Sequence, residues 1–163
     1  MNKAYLLTGG NIGNPLENLG IARGNIEQYC GKIILCSDIY RTAAWGVEDQ
    51  PDFFNQALCI ATNQTPEVLM DALLNIESNM GRMRTAKMGP RTIDIDILFF
   101  NALIINTPHL QLPHPRLHLR KFVLTPMAQI APELVHPVFN KTIIALLEEC
   151  PDTLNVYKIE TNN

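Results

Sequence analysis

At 163 residues the chain is long enough for one domain with its own core, and 47% hydrophobic against 18% charged residues is ordinary for a globular protein and does not suggest disorder. A net charge of −3 argues against a general nucleic-acid binder, and no apolar run reaches the roughly 20 residues of a membrane span. Four cysteines without a Cys-x-x-Cys pair, and a start that lacks a signal-peptide pattern, point to free thiols and a cytoplasmic protein.

Ala4 to Thr8 reads as a short apolar strand ending in the turn Gly9-Gly10-Asn11-Ile12-Gly13. Asn14 caps and Pro15 opens a helix with Leu16, Leu19, Ala22 and Ile26 on one face, and Gly31 marks its stop. Lys32 to Tyr40 is a second strand, Arg41 to Asp52 a polar loop carrying Trp45, and Phe53 to Thr62 a third strand. Thr65 caps a second helix with the stripe Leu69, Leu73, Ile76 and Met80, ended by Gly81. A cation-bearing loop then leads into the strand Ile93-Asp94-Ile95-Asp96-Ile97.

This order, strand–helix–strand–strand–helix–strand, is the split pattern of a ferredoxin-like α+β sandwich. It predicts a mainly antiparallel sheet with helices on one face and the other face open. Beyond Phe100 the pattern predicts short extended pieces over 101–112, a helix over 116–129 interrupted by Pro126, a short helix over 142–150 and a loose polar tail from Asp152. No linker divides the chain, so residues 1–163 are expected to form one domain.

The aspartate strand holds the strongest chemical signal. Its period-2 pattern sends three isoleucines into a core and both carboxylates to the other face, about 7 Å apart. By itself such a pair reads more readily as a solvated outer face than as a cation site. From Ser78 to Pro132, however, Asp94 and Asp96 are the only acidic residues, amid Arg82, Arg84, Lys87, Arg91, Arg116, Arg120 and Lys121. Two acids within a basic belt suit a magnesium–polyphosphate complex. The 12-residue connection around Arg82 to Arg91 has the make-up of a lid over phosphates, although cations there also complement a helix C-terminus. His114-Pro115-Arg116, with His118 and Arg120, forms a second basic cluster suited to phosphate or nucleotide contact, with a His114–His118 metal pair or surface decoration as alternatives. Phe53 and Asn55 share a strand face, and an aromatic beside an amide is either sheet filler or a site for a flat heterocycle, with Phe122 as a second stacking surface. His109 and His136 read as ordinary loop residues.

The string Gly89-Pro90-Arg91-x-x-Asp94-x-Asp96-Ile97 resembles the signature of the 6-hydroxymethyl-7,8-dihydropterin pyrophosphokinase family of folate biosynthesis. In the same order stand Tyr40-Arg41-Thr42, Gln50-Pro51-Asp52-Phe53-Phe54-Asn55, Gly81-Arg82-x-Arg84, Leu112-Pro113-His114-Pro115-Arg116, Arg120-x-Phe122 and Ile130-Ala131-Pro132. The chain departs from the family pattern at Gly10, Ala43, Ala44, Met88 and Pro115, none of them an expected metal ligand or key arginine.

The resemblance implies a monomeric kinase that moves pyrophosphate from ATP to the pterin hydroxymethyl group and releases AMP. It further implies that Asp94 and Asp96 hold two magnesium ions and that Arg82 and Arg91 serve the transferring group. Glu77, Arg84, Ile97, His114 and Arg120 would contact ATP. Phe53 and Phe122 would sandwich the pterin, Asn55 would pair with its ring edge, and Thr42, Ala43 and Trp45 would complete that pocket. A magnesium phosphohydrolase using the same aspartates is the rival enzyme, and a ligand-sensing or RNA-binding ferredoxin-like module the rival binding protein. An RNA-binding sheet would show exposed aromatics and a basic face rather than aspartates.

Overall fold

The computed structural model describes residues 1–43, 51–81 and 92–159. In chain order these form β1 (Asn2–Gly10), α1 (Pro15–Tyr29), β2 (Lys32–Cys36), β3 (Ile39–Thr42), β4 (Phe53–Thr62), α2 (Pro66–Asn79) and β5 (Asp94–Phe100). A small hairpin, β6 (Ile105–Asn106) with β7 (Gln111–Leu112), precedes a 3-10 turn (Leu117–Leu119), α3 (Lys121–Ile130), α4 (Ile143–Glu149) and β8 (Val156–Ile159). The main sheet runs β5-β1-β4-β3-β8, with β2 also paired to β4, and all its pairings are antiparallel.

Local chemistry starts both long helices where expected. The Asn14 side chain accepts a hydrogen bond from Glu17 N at 3.2 Å, the Thr65 hydroxyl accepts one from Val68 N at 3.3 Å, and proline opens each first turn. Leu19, Ala22 and Ile26 of α1, with Leu69, Leu73 and Ile76 of α2, are buried against Ala4, Leu6, Leu58, Ile60, Ile93, Ile95 and Ile97. Leu16, expected on that buried face, is exposed at the helix start. This is the helical layer that the alternating patterns predict.

The opposite sheet face, expected to be open, is covered. Tyr5, Leu7, Ala57, Cys59, Leu98 and Phe99 meet Leu117, Val123, Leu124, Met127, Ile143 and Leu146 in a second core under α3 and α4. The second expected strand divides into β2 and β3, which pair with opposite ends of the ten-residue β4. The tail expected to be loose carries β8, whose Val156–Ile159 pairs with Ile39–Thr42 and so satisfies the free edge of β3.

One irregularity in β5 joins the two cores. Tyr5 pairs with Phe99 but Leu6 pairs with Ile97, so Leu98 is an extra residue, a β-bulge. The bulge reverses the alternation beyond it. Asp94 and Asp96 stay opposite the buried isoleucines, while Leu98 and Phe99 both enter the second core and Phe100 returns to the first. Phe99 there meets Tyr5 and His136 edge-on, with ring centroids 6.2 and 5.7 Å away. Phe99→Ala should therefore cost about 3–5 kcal/mol, read as a lowered denaturation midpoint; a change below about 1 kcal/mol would show that this packing is dispensable.

Candidate active site

The register of the three central strands builds the site. Gly9 pairs with Asp94 on one side and Asn55 on the other, and Asn55 in turn pairs with Tyr40. Directly paired residues of an antiparallel ladder point to the same face. Asp94, Gly9, Asn55 and Tyr40 therefore form one row, with Asp96 and Leu7 in the row below and Phe53 and Thr42 paired above. The carboxylates and the aromatic–amide pair predicted from separate stretches of chain share one face at one end of the sheet.

That face also receives the N-terminus of α3. Phe122 packs against the second core, and the Arg120 guanidinium stands over the Phe122 ring, 5.8 Å from its centroid. Lys121 N donates to Asp152 Oδ2 at 3.0 Å, which seats the helix start. At its other end Gln129 Oε1 accepts from Tyr40 Oη at 2.7 Å, so α3 is tied to β3 across the sheet.

His114 is drawn to the same region by the bulge. Its backbone N–H donates to the carbonyl of the bulged Leu98 at 2.9 Å. Its ring Nδ1 accepts from Arg116 N at 3.3 Å, which leaves the proton on Nε2 as an outward donor. Burial first, then Arg120 and Arg116, with Asp94 opposing them, together bring the His114 pKa down to about 4. The imidazole is thus neutral at ordinary pH and acts as a hydrogen-bond donor rather than a charge.

Glu77, in the last turn of α2, is 3% exposed, and its Oε2 accepts from Ile95 N at 2.6 Å. Ile95 lies between the two aspartates on the edge strand of the sheet. The carboxylate therefore holds the aspartate strand by its backbone. Asp96, Ile97 and His114 line a cleft of about 270 Å³ with Met70, His109 and Leu110. His109, expected to be an ordinary loop residue, belongs to this cleft. His136 is not loop decoration either: it is buried, stacks on Phe139, and its Nδ1 accepts from Val138 N and Phe139 N. The His118 ring packs edge-on against Phe139, 4.6 Å between centroids.

Of the remaining expected residues, Thr42 is buried at the end of β3 and Ala43 is exposed just beyond it. Trp45, Arg82, Arg84 and Arg91 lie outside the described residues. Asp94 and Asp96 are half-buried carboxylates on one strand face, a hard-oxygen donor pair suited to magnesium, which keeps water and phosphate oxygens as its other ligands. Among the described residues no group of three or more His, Cys, Asp or Glu gathers to hold a metal, so these two carboxylates would have to share any ion with a substrate. No helix among the described residues is long and apolar enough to cross a membrane.

The chain is similar over most of its length to known proteins. The family described as 7,8-dihydro-6-hydroxymethylpterin-pyrophosphokinase (HPPK) matches residues 5–132. The Synechocystis protein named 2-amino-4-hydroxy-6-hydroxymethyldihydropteridine pyrophosphokinase is 41% identical over 86% of this chain and 72% of its own length. The Haemophilus influenzae protein of the same name is 38% identical over 90% of this chain and 91% of its own. Folic acid synthesis protein FOL1 of Dictyostelium discoideum is 35% identical over 97% of this chain, which spans only 24% of that larger protein. Among solved structures, Plasmodium falciparum HPPK-DHPS with pteroate superposes with a TM-score of 0.76 at 19% identity, covering 91% of this chain and 42% of that one. At that identity the likeness speaks for the fold.

Two variants test the geometry. Glu77→Ala leaves the buried Ile95 N–H without its acceptor and should cost about 1–3 kcal/mol by denaturant titration; an unchanged midpoint would show that the contact carries no weight. His114 stays uncharged in the folded protein but takes up a proton in the unfolded chain, so stability falls as pH drops from 6.5 to about 4. His114→Gln should lose less of its melting temperature than wild type across that window, and parallel curves would contradict the buried neutral ring.

Proposed function

The chain belongs to the 7,8-dihydro-6-hydroxymethylpterin-pyrophosphokinase family, and on that premise we propose that it transfers pyrophosphate from ATP to the hydroxymethyl group of 6-hydroxymethyl-7,8-dihydropterin in folate synthesis. The observation that carries this reading is the shared sheet face. Acids suited to a phosphate-bound cation and an aromatic–amide pair suited to a flat ring lie one strand apart, under a helix start bearing Arg120 and Phe122.

The pterin hydroxymethyl oxygen attacks the β-phosphorus of ATP, the bond from that phosphorus to the α,β-bridging oxygen breaks, and AMP departs. The hydroxyl proton passes to solvent or phosphate. Such transfers depend on positioning and charge neutralisation rather than covalent catalysis. Phe53 and Phe122 flank the ring, and Asn55 pairs with its edge, with Thr42, Ala43 and Trp45 beside it. Arg82 and Arg91 neutralise the transferring group. Arg84, Arg120 and the neutral His114 donate to ATP, whose adenosine occupies the cleft beside Ile97. Glu77 serves by keeping the aspartate strand in place. Two magnesium ions, held by Asp94 and Asp96, would supply further charge neutralisation on the phosphates. The enzyme works as a cytoplasmic monomer formed by a single domain.

Mixing the protein with ATP, magnesium and hydroxymethyl-dihydropterin should release AMP only when the pterin is present. ATP breakdown without pterin would favour a phosphohydrolase instead. Asp96→Ala should keep the wild-type melting temperature to within a few degrees and lose at least about 100-fold in turnover, a barrier increase of about 2.7 kcal/mol. Near-wild-type turnover in that variant would overturn the metal assignment.

A further inference from the structure

Gly9 lies between the two halves of the site, paired with Asp94 on one side and Asn55 on the other. Its backbone does not lie in the left-handed region, so backbone conformation alone does not demand glycine there. Space does. A Cβ at this position would stand 2.2 Å from Asn55 Oδ1 and 3.2 Å from Asn55 Cγ. The Asn55 side chain therefore lies across β1, in the volume that any side chain at position 9 would fill. Asn55 is only 5% exposed, so its amide is held where water has little access. An amide held over a bare strand, with no side chain between it and the sheet face, is poised for a ligand's edge.

We propose that Gly9 is a specificity-determining positioning residue: its missing side chain holds the Asn55 amide against the donor–acceptor edge of a flat heterocycle. The proposal rests on the reading that the pterin pairs with Asn55. The next neighbour of the added Cβ, the Phe54 carbonyl oxygen at 3.4 Å, is at ordinary contact distance. Relief in a Gly9→Ala variant therefore comes from rotation of the Asn55 amide, not from a shift of strand backbone. The fold survives and the recognition geometry does not.

The test is a thermodynamic cycle over wild type, Gly9→Ala, Asn55→Ala and the double variant. Affinity for 6-hydroxymethyl-7,8-dihydropterin and, separately, for magnesium–ATP is measured by calorimetric titration. Gly9→Ala should weaken pterin binding about tenfold or more, the scale of one lost hydrogen bond, and leave ATP affinity within about twofold. In the double variant the pterin loss should be no larger than for Asn55→Ala alone. Wild-type pterin affinity in Gly9→Ala, additive losses in the double variant, or an equal loss for ATP would each overturn the assignment. So would a Gly9→Ala protein that fails to fold, since position 9 would then be structural. Absence of pterin binding by wild type would remove the functional reading itself, whereas binding that survives Gly9→Ala removes this inference alone.

Discussion

The register of β4, β1 and β5 is the constraint on which the rest of the molecule depends. It holds Asp94, Gly9 and Asn55 in one row, and a slip of one residue in β5 would turn both carboxylates into the core and three isoleucines out of it. Burying an isoleucine side chain is worth roughly 1.5–3 kcal/mol, and burying an unpaired carboxylate costs more than that. The same alternation that makes the strand fold therefore points its acids outward, so the chemistry of the site and the stability of its floor share one sequence pattern. Glu77 adds a second hold on that strand from the α2 side, through the backbone between the two acids.

The bulge at Leu98 extends this arrangement to the C-terminal part of the chain. It releases a carbonyl that takes the His114 N–H, and it sends Phe99 into the core beneath α3 and α4. One extra residue in an edge strand thus anchors the histidine segment and makes room for the helix that brings Arg120 and Phe122 over the sheet. The same packing keeps His114 neutral, because burial and two nearby arginines outweigh Asp94.

Much of this was legible in the amino-acid sequence because it rests on local rules. The caps at Asn14 and Thr65, the stripes of α1 and α2 and the alternation at Ile93–Ile97 are short-range signals, and they correspond to the observed elements. The misses are long-range. Neither the covering of the second face by α3 and α4 nor the pairing of Val156–Ile159 with β3 leaves a periodic trace, since each depends on a partner far along the chain. The bulge at Leu98 was hidden because a run of four apolar residues fits either parity. His109 and His136 carried no pattern that separates a cleft-lining ring from a core ring. Gly9 read as turn chemistry, whereas its role follows from the residue across the strand. The cations from Arg82 to Arg91 were legible as charge alone, and their places lie outside the described residues.

The central claim is that one sheet face serves both the phosphates and the heterocycle. A crystal structure with hydroxymethyl-dihydropterin, magnesium and a non-hydrolysable ATP analogue tests it most directly. It should show magnesium between Asp94 and Asp96 and the pterin ring between Phe53 and Phe122 with its edge on Asn55. A pterin seated instead on the other side of β4, in the cleft lined by Asn11, Arg41 and Phe54, would contradict it.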